Sequence, residues 1–254
     1  MMERIMRSIS GVVGQVMLVM LLAIPGIARA DGSSPASVDA LLKAMTDTMT
    51  GAKSITMHVE KTFDDILVTG HKVQYSGAID IALRRPDRLY VSYGDDFASR
   101  EVWFDGTQFV MQDHKARVHG QLPAAGTVDA TLDEVAETYN VVMPLAGLLS
   151  ADVQEQIKAN EFFKLYIALS DVEGVPAHQL LLSGENVDWQ IWIDAGEIPW
   201  PLKIVVTDIT EPSQPQKTFL FTYWNLDADL PDSKFIPVIP EDSALAAFLP
   251  KMGN

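Results

Sequence analysis

The sequence predicts an α+β fold: a curled antiparallel sheet of about ten or eleven strands wrapped around helices. Three observations lead there. Two long tracts alternate apolar and polar residues with period two, and a shorter tract between them carries apolar residues at helical spacing. The strands in each tract are separated by short turn signals and not by helices, which argues for meanders over βαβ units. A sheet of this size does not stay flat, so helices packed on its concave side would cover apolar side chains otherwise left in water.

Taken in order, the first thirty residues read as an export signal. Arg4 and Arg7 form a positive n-region, and Gly11 to Ile24 are apolar apart from Gln15. Pro25 and Gly26 break any helix before Ala28-Arg29-Ala30, a small-x-small cleavage signal. The apolar run is shorter than the ~18–20 residues of a spanning helix. Cleavage after Ala30 is expected, leaving a periplasmic protein that does not span the membrane. The expected organisation is a signal peptide over 1–30, one domain over 31–230 and a proline-rich tail over 231–254.

SSPASVDALLKAMTDTMTGAKS places Val38, Leu41, Leu42, Met45 and Met49 on one helical face. Ser34 is the expected N-cap, with Pro35 at N1 and Gly51 as the stop. Strands follow in SITMHVEKTFDDI, HKVQYSGAIDIALRR and DRLYVSYGDD, then in SREVWFDGTQFVMQDHKARVHGQ, with turns at Asp105-Gly106 and Lys115-Ala116. TVDATLDEVAETY is the next helix, capped by Thr127 or Asp129, and PLAGLLS and a further turn to Ala159 extend the helical insert. FFKLYIALSDVEG, VPAHQLLLSG, VDWQIWID, PLKIVVTDI and QKTFLFTYWNL form the second meander. The tail, PDSKFIPVIPEDSALAAFLPKMGN, is expected to dock through Phe235, Ile236, Val238 and Ile239 and to end in a short apolar helix.

Composition excludes several functions. The chain has no cysteine, which removes disulfides, thiol catalysis, cysteine-ligated metals and a lipid-anchored amino terminus. A formal net charge of −15 argues against nucleic acid and against anionic lipid surfaces. Ser150, Ser170 and Ser183 sit in no nucleophile motif, and no phosphate-binding glycine loop occurs. His114 and His119 flank a turn but read as solvated strand residues, and Asp64-Asp65 and Asp95-Asp96 read as turn acids. No enzyme, no cofactor and no metal site is expected.

Aromatic residues carry the binding argument. Trp103 and Phe104 are adjacent, as are Tyr223 and Trp224, so large rings fall on both faces of predicted strands. In VDWQIWID, Trp189 and Trp192 point to opposite faces. Either the sheet has a core on both sides, or one side lines a ligand cavity. The cavity candidates are Tyr90, Tyr93, Trp103, Phe109, Trp189, Trp192, Phe219 and Phe221. Arg85 and Arg88, flanking Pro86 and Asp87, are candidates for a rim that meets a head group or an acidic partner.

ALRRPDRLYVSYG, EVWFDGTQFVMQDHKARVHGQ and DWQIWIDAGEIPWPLKIVV resemble strands and hairpins of periplasmic lipoprotein-carrier-like proteins. The ordered set LLKAMTDTM, RRPDRLY, TVDATLDEVAETY, MPLAGLLSAD and DWQIWID is closer to the DUF2092 group of predicted periplasmic proteins, over nearly the whole mature chain. The resemblance implies an unclosed β-barrel or half-barrel around helices, with an apolar cavity between. It implies a non-enzymatic protein holding a lipid or acylated ligand. The alternative is an envelope sensor or interaction module that binds a protein or peptide partner.

Overall fold

The structure, a computed structural model, describes residues 37–124, 126–160 and 162–251. The export signal and its cleavage after Ala30 lie outside the described residues, as do Ser34 and Pro35. Helix α1 (Val38–Gly51) opens the fold, followed by β1 (Ser54–Ile66), β2 (Lys72–Arg84), β3 (Arg88–Asp95), β4 (Ser99–Phe104), β5 (Gln108–Asp113) and β6 (Val118–Pro123). Helices α2 (Val128–Tyr139), α3 (Ala146–Leu149) and α4 (Val153–Ala159) come next. The second meander is β7 (Phe163–Val172), β8 (Val175–Ser183), β9 (Val187–Asp194), β10 (Pro201–Asp208) and β11 (Gln216–Asn225). A 3-10 turn at Asp232–Phe235 and a two-residue β12 (Ala244–Leu245) complete it. Among the described residues no helix is long and apolar enough to cross a membrane.

All the strands belong to one unclosed twelve-stranded sheet, in the order β12-β6-β5-β4-β3-β2-β1-β11-β10-β9-β8-β7. The two meanders meet where β1 pairs antiparallel with β11. Directly opposed residues share a face, so one register propagates one apolar row across the sheet. Ile55, Met57 and Val59 of β1 oppose Leu83, Ile81 and Ile79 of β2, which in turn oppose Leu89, Val91 and Tyr93 of β3. These residues are buried in one core with Leu41, Leu42, Met45 and Met49 of α1. The face carrying the helices is termed inner here.

Local signals place most element ends. Ser37, and not Ser34, caps α1, its Oγ accepting from the Ala40 amide at 3.2 Å. Thr127 caps α2 in the same way through Ala130. The β4–β5 turn is centred one residue later than the Asp105-Gly106 signal predicts. Asp105 is its first residue and accepts from the Thr107 and Gln108 amides at 2.8 and 2.9 Å. Gly106 takes φ +87°, a conformation that costs glycine little.

Three acids hold the three successive turns of this region. Asp95 accepts from Phe97 and Ala98, and from Lys61 Nζ at 2.6 Å; Asp113 accepts from Ala116 and from Arg100. Burial by itself would raise all three carboxyl pKa values, but the amide and side-chain donors outweigh it and hold them below the usual carboxylate range. A depressed folded-state pKa stabilises the fold above the unfolded value, about 3.9 for aspartate, and that stability is lost as pH falls through the folded value. Urea midpoints should therefore hold between neutral pH and about pH 4 and fall steeply below it. The triple variant D95N/D105N/D113N should start lower at neutral pH and show a shallower acid limb. An unchanged acid limb in that variant would remove these turns as its cause.

The tail departs from its prediction. Residues 244–245 form a strand parallel to β6 in place of a helix. The stretch between Pro240 and Pro250 is too short to nucleate a helix alone, whereas the free edge of β6 offers ready backbone partners. Ala244 N–H bonds to Arg117 O at 2.9 Å and Ala246 N–H to His119 O at 2.8 Å. Before this the tail crosses the outer face: Arg84 binds Leu230 O at 2.6 Å and the Asp232 carboxylate, and Phe235 is fully buried. Ile236 and Val238 face solvent and do not share the docking. Past β12 the chain turns onto the inner face, where Phe248 packs against Phe109 and Tyr139, with ring centroids 6.0 and 5.7 Å away. Only a glycine fits at position 120 beneath it, since a Cβ there would stand 2.6 Å from the Phe248 ring. The tail is thus a strap running from the outer face, around the β6 edge, to the inner one.

Candidate functional site

The inner face of the second meander is less completely filled than that of the first. Trp189 of β9 opposes Leu182 of β8, and Ile191 of β9 opposes Ile204 of β10, which opposes Phe219 of β11. Register therefore puts these side chains on one patch of the inner face. Facing them are Met45 of α1, the segment 142–148, and Val153, Gln156, Ile157 and Asn160 of and just after α4, with Phe162 also in the lining. Between the two layers lies a cavity of ≈ 340 Å³. Its walls are apolar except for the amides of Gln156 and Asn160, and no charged side chain lines it among the described residues. A second hollow of ≈ 490 Å³ on the outer face is mixed in character, with Glu60, Glu173 and Lys203 among its lining residues.

Arg85 anchors the helical wall to the rim of the sheet. Arg85 Nη2 donates to Leu149 O at 2.7 Å at the end of α3, and Arg85 Nη1 stands 4.0 Å from the Asp129 carboxylate of α2. Burial lowers the Arg85 guanidinium from its ordinary value, with Asp129 partly opposing that. Asp129 also accepts from the Ala151 amide at 3.2 Å, so one ion pair ties α2, α3 and the approach to α4 to the rim of the sheet. Leu145, in the cavity wall, has φ +61° and begins α3 without a side-chain cap. A bulky residue in that region costs on the order of 1–3 kcal/mol and is held there by its surroundings. Val142, at the same wall, is largely solvent-exposed.

The sequence candidates divide into three groups. Trp189 and Phe219 line the cavity. Tyr93, Phe109 and Phe221 lie on the inner face within the packed core. Tyr90, Trp103 and Trp192 are on the outer face. Tyr90 packs against Trp103 with centroids 5.9 Å apart, donates to Glu101 at 2.6 Å and carries Lys234 of the strap over its ring at 3.6 Å. Burial, aided by Glu101, pushes its hydroxyl up to about 12. Trp192 joins Val172, Ala177, Leu202 and Val205 in a small outer cluster, with Lys203 Nζ 4.8 Å from its ring. The two rings of VDWQIWID thus serve different layers, a cavity wall and a separate outer core.

Arg85 and Arg88 do not act together. Arg88 pairs with Asp87 at 3.0 Å beside the β4–β5 turn, while Arg85 reaches the helices. His114 bonds Glu101 at 2.8 Å and His119 bonds Ser243 at 3.0 Å, so the two rings have separate partners. Met45, read from sequence as a helix-face residue, also lines the cavity, as do Met143, Leu145, Leu148, Val153, Ile157, Phe162, Leu182, Ile191 and Ile204, which were not among the sequence candidates. The signal available was VVMPLAGLL, a run too apolar for a solvent-facing loop.

A family model described as a predicted periplasmic protein (DUF2092) matches residues 38–249. No curated protein matches the chain. Among solved structures, an uncharacterized conserved protein from Thermus thermophilus aligns with a TM-score of 0.50 at 8% identity, over 83% of this chain and 99% of its own. The Mycobacterium tuberculosis lipoprotein LppX aligns at 0.44 and 11% identity, over 78% and 100%. A LolA superfamily protein from Nitrosomonas europaea aligns at 0.36 and 11%, over 78% and 96%. At these identities the likeness is one of fold.

Proposed function

We propose, for a chain that belongs to the DUF2092 family of predicted periplasmic proteins, that it is a non-enzymatic carrier holding a lipid or acyl-bearing ligand between sheet and helices. The observation that supports this best is the apolar cavity behind Trp189 and Phe219, whose polar lining among the described residues is two amides. Its volume falls in the range of about 300–1,000 Å³ usual for small-molecule sites. Each methylene buried there would contribute roughly 0.8 kcal/mol, and the apolar side chains that line it among the described residues suit a hydrocarbon chain. Gln156 and Asn160 donate to Asp152 and to Gln156 O at 2.8 Å, and each amide group keeps a second N–H with which an ester or amide next to that chain would hydrogen-bond. The left-handed backbone of Leu145 in the cavity wall fits a wall that shifts to admit a chain.

Native mass spectrometry of the protein purified from a periplasmic extract should show a co-purifying lipid, released by detergent. A fluorescent fatty acid should enter the emptied protein and be displaced by unlabelled lipid. A clean apo mass together with no fatty-acid binding would overturn the reading.

A further inference from the structure

Among the described residues, one edge of the sheet is covered and the other is not. β12 lies along β6, but β7 has no strand on its far side among the described residues. β7 is ten residues long, and its Phe163, Leu165, Ile167 and Leu169 are 64, 43, 44 and 61% exposed. Edge strands are ordinarily blunted by inward charges, proline or shortness. The stretch LYIALS, residues 165–170, has no charge and no proline, its one protective feature being the irregularity between Tyr166 and Ala168, and the strand's charges, Lys164 and Asp171, sit near its two ends.

Those two charges are seven residues apart, so in a regular strand they would point to opposite faces. β7 carries an irregularity between Tyr166 and Ala168 that changes this. Lys164 and Tyr166 oppose Leu182 and Leu180, and Leu169 and Asp171 oppose His178 and Pro176, all of one parity on β8. Lys164, Tyr166, Leu169 and Asp171 therefore share the inner face, while Leu165 and Ser170 share the outer one. The strand is complementary to its own reverse.

We propose that β7 pairs antiparallel with β7 of a second copy of this chain about a two-fold axis, with Lys164 opposite Asp171 of the second copy. This register sets Tyr166 opposite Leu169 and Leu165 opposite Ser170, so every opposed pair outside the irregular centre stays on one face. Two-fold symmetry makes each contact twice, including the ion pair. Strand addition supplies backbone hydrogen bonds, and the opposed charges select this register over slipped ones. In the single chain Lys164 reaches Asp39 at 2.9 Å, but Asp39 is exposed, and such a pair contributes little.

Sedimentation of the protein purified from a periplasmic extract, over a concentration series, should show a monomer–dimer equilibrium. Hydrogen exchange should show protection of the β7 amides rising with the dimer fraction. Asp171→Lys brings like charges together twice and should weaken dimerisation at least ~10-fold. The swap K164D/D171K should restore it, although it also loses the bond from Gly174 N–H to Asp171, so a turn defect alone cannot mimic this pattern. Leu165→Lys should weaken the dimer, and Asp39→Asn should leave it unchanged. A monomer at every concentration overturns the proposal, whether its β7 amides are free, covered by another part of the same chain, or bound to a different protein. A dimer indifferent to both D171K and L165K overturns it as well.

Discussion

Replacing Phe235 by alanine should cost about 3–5 kcal/mol of unfolding free energy, the range for a fully buried phenylalanine. Phe235 has no accessible surface although it belongs to a short 3-10 turn in a proline-rich tail. Its ring is the anchor by which the strap grips the outer face, beside the Arg84 guanidinium at 5.2 Å and next to Lys234 on Tyr90. The substitution leaves a void that the tail cannot fill by collapse, because Arg84 still holds Leu230 and Asp232 on one side and β12 holds the strap on the other. In thermal unfolding this corresponds to a drop of roughly 10 °C for a domain of this size. Phe235→Leu should recover most of the loss. A midpoint shift near zero, with β12 amides exchanging freely, would mean that the strap detaches without the rest and lies outside the cooperative unit.

Trp189→Asp should weaken binding of a fluorescent fatty acid by ~100-fold or more at neutral pH. The substitution removes an aromatic wall and sets a carboxylate in a cavity lined, among the described residues, by no cation to pair with it. A bound chain would desolvate that charge, a penalty of several kcal/mol, and each 1.4 kcal/mol is about tenfold in affinity. The fold should survive, because Trp189 is only half-buried and stands at the cavity and not in the closed core. Binding should return in part as pH falls and the carboxyl becomes neutral, and Trp189→Phe should bind nearly as the parent does. Trp192→Phe, on the outer face, should leave binding unchanged. Equal affinity in W189D and parent would remove the ligand from this cavity.

The strand pattern was legible because its causes are local. SITMHVEKTFDDI coincides with β1 and VDWQIWID with β9, since alternation, β-branched residues and flanking turn residues act within a few positions. The cap of α2 was narrowed to Thr127 or Asp129 for the same reason, and Thr127 takes the place. The strap was not legible, because its β12 depends on an edge more than a hundred residues upstream offering unpaired backbone groups. Nor was the N-cap of α1, where Ser34 and Ser37 present the same chemistry to the same helix.

Among the aromatic residues, period two separated Trp189 from Trp192 but left open which of them would face a cavity. That choice waits on the pairing of Met57 with Trp224, which joins the two meanders, and on the helical insert packing over the same face. Sequence by itself determined the antiparallel meanders, the helical insert, the acidic and cysteine-free character and the set of large apolar side chains. Tertiary structure alone decided that Trp189 and Phe219 border a cavity, that Tyr93, Phe109 and Phe221 are packed core, and that Tyr90, Trp103 and Trp192 belong to the outer layer. The physical reason is that face alternation is a property of one strand, whereas empty volume is a property of two layers meeting. The gap behind Trp189 exists because α4 and the 142–148 segment stand off from β8–β11 there.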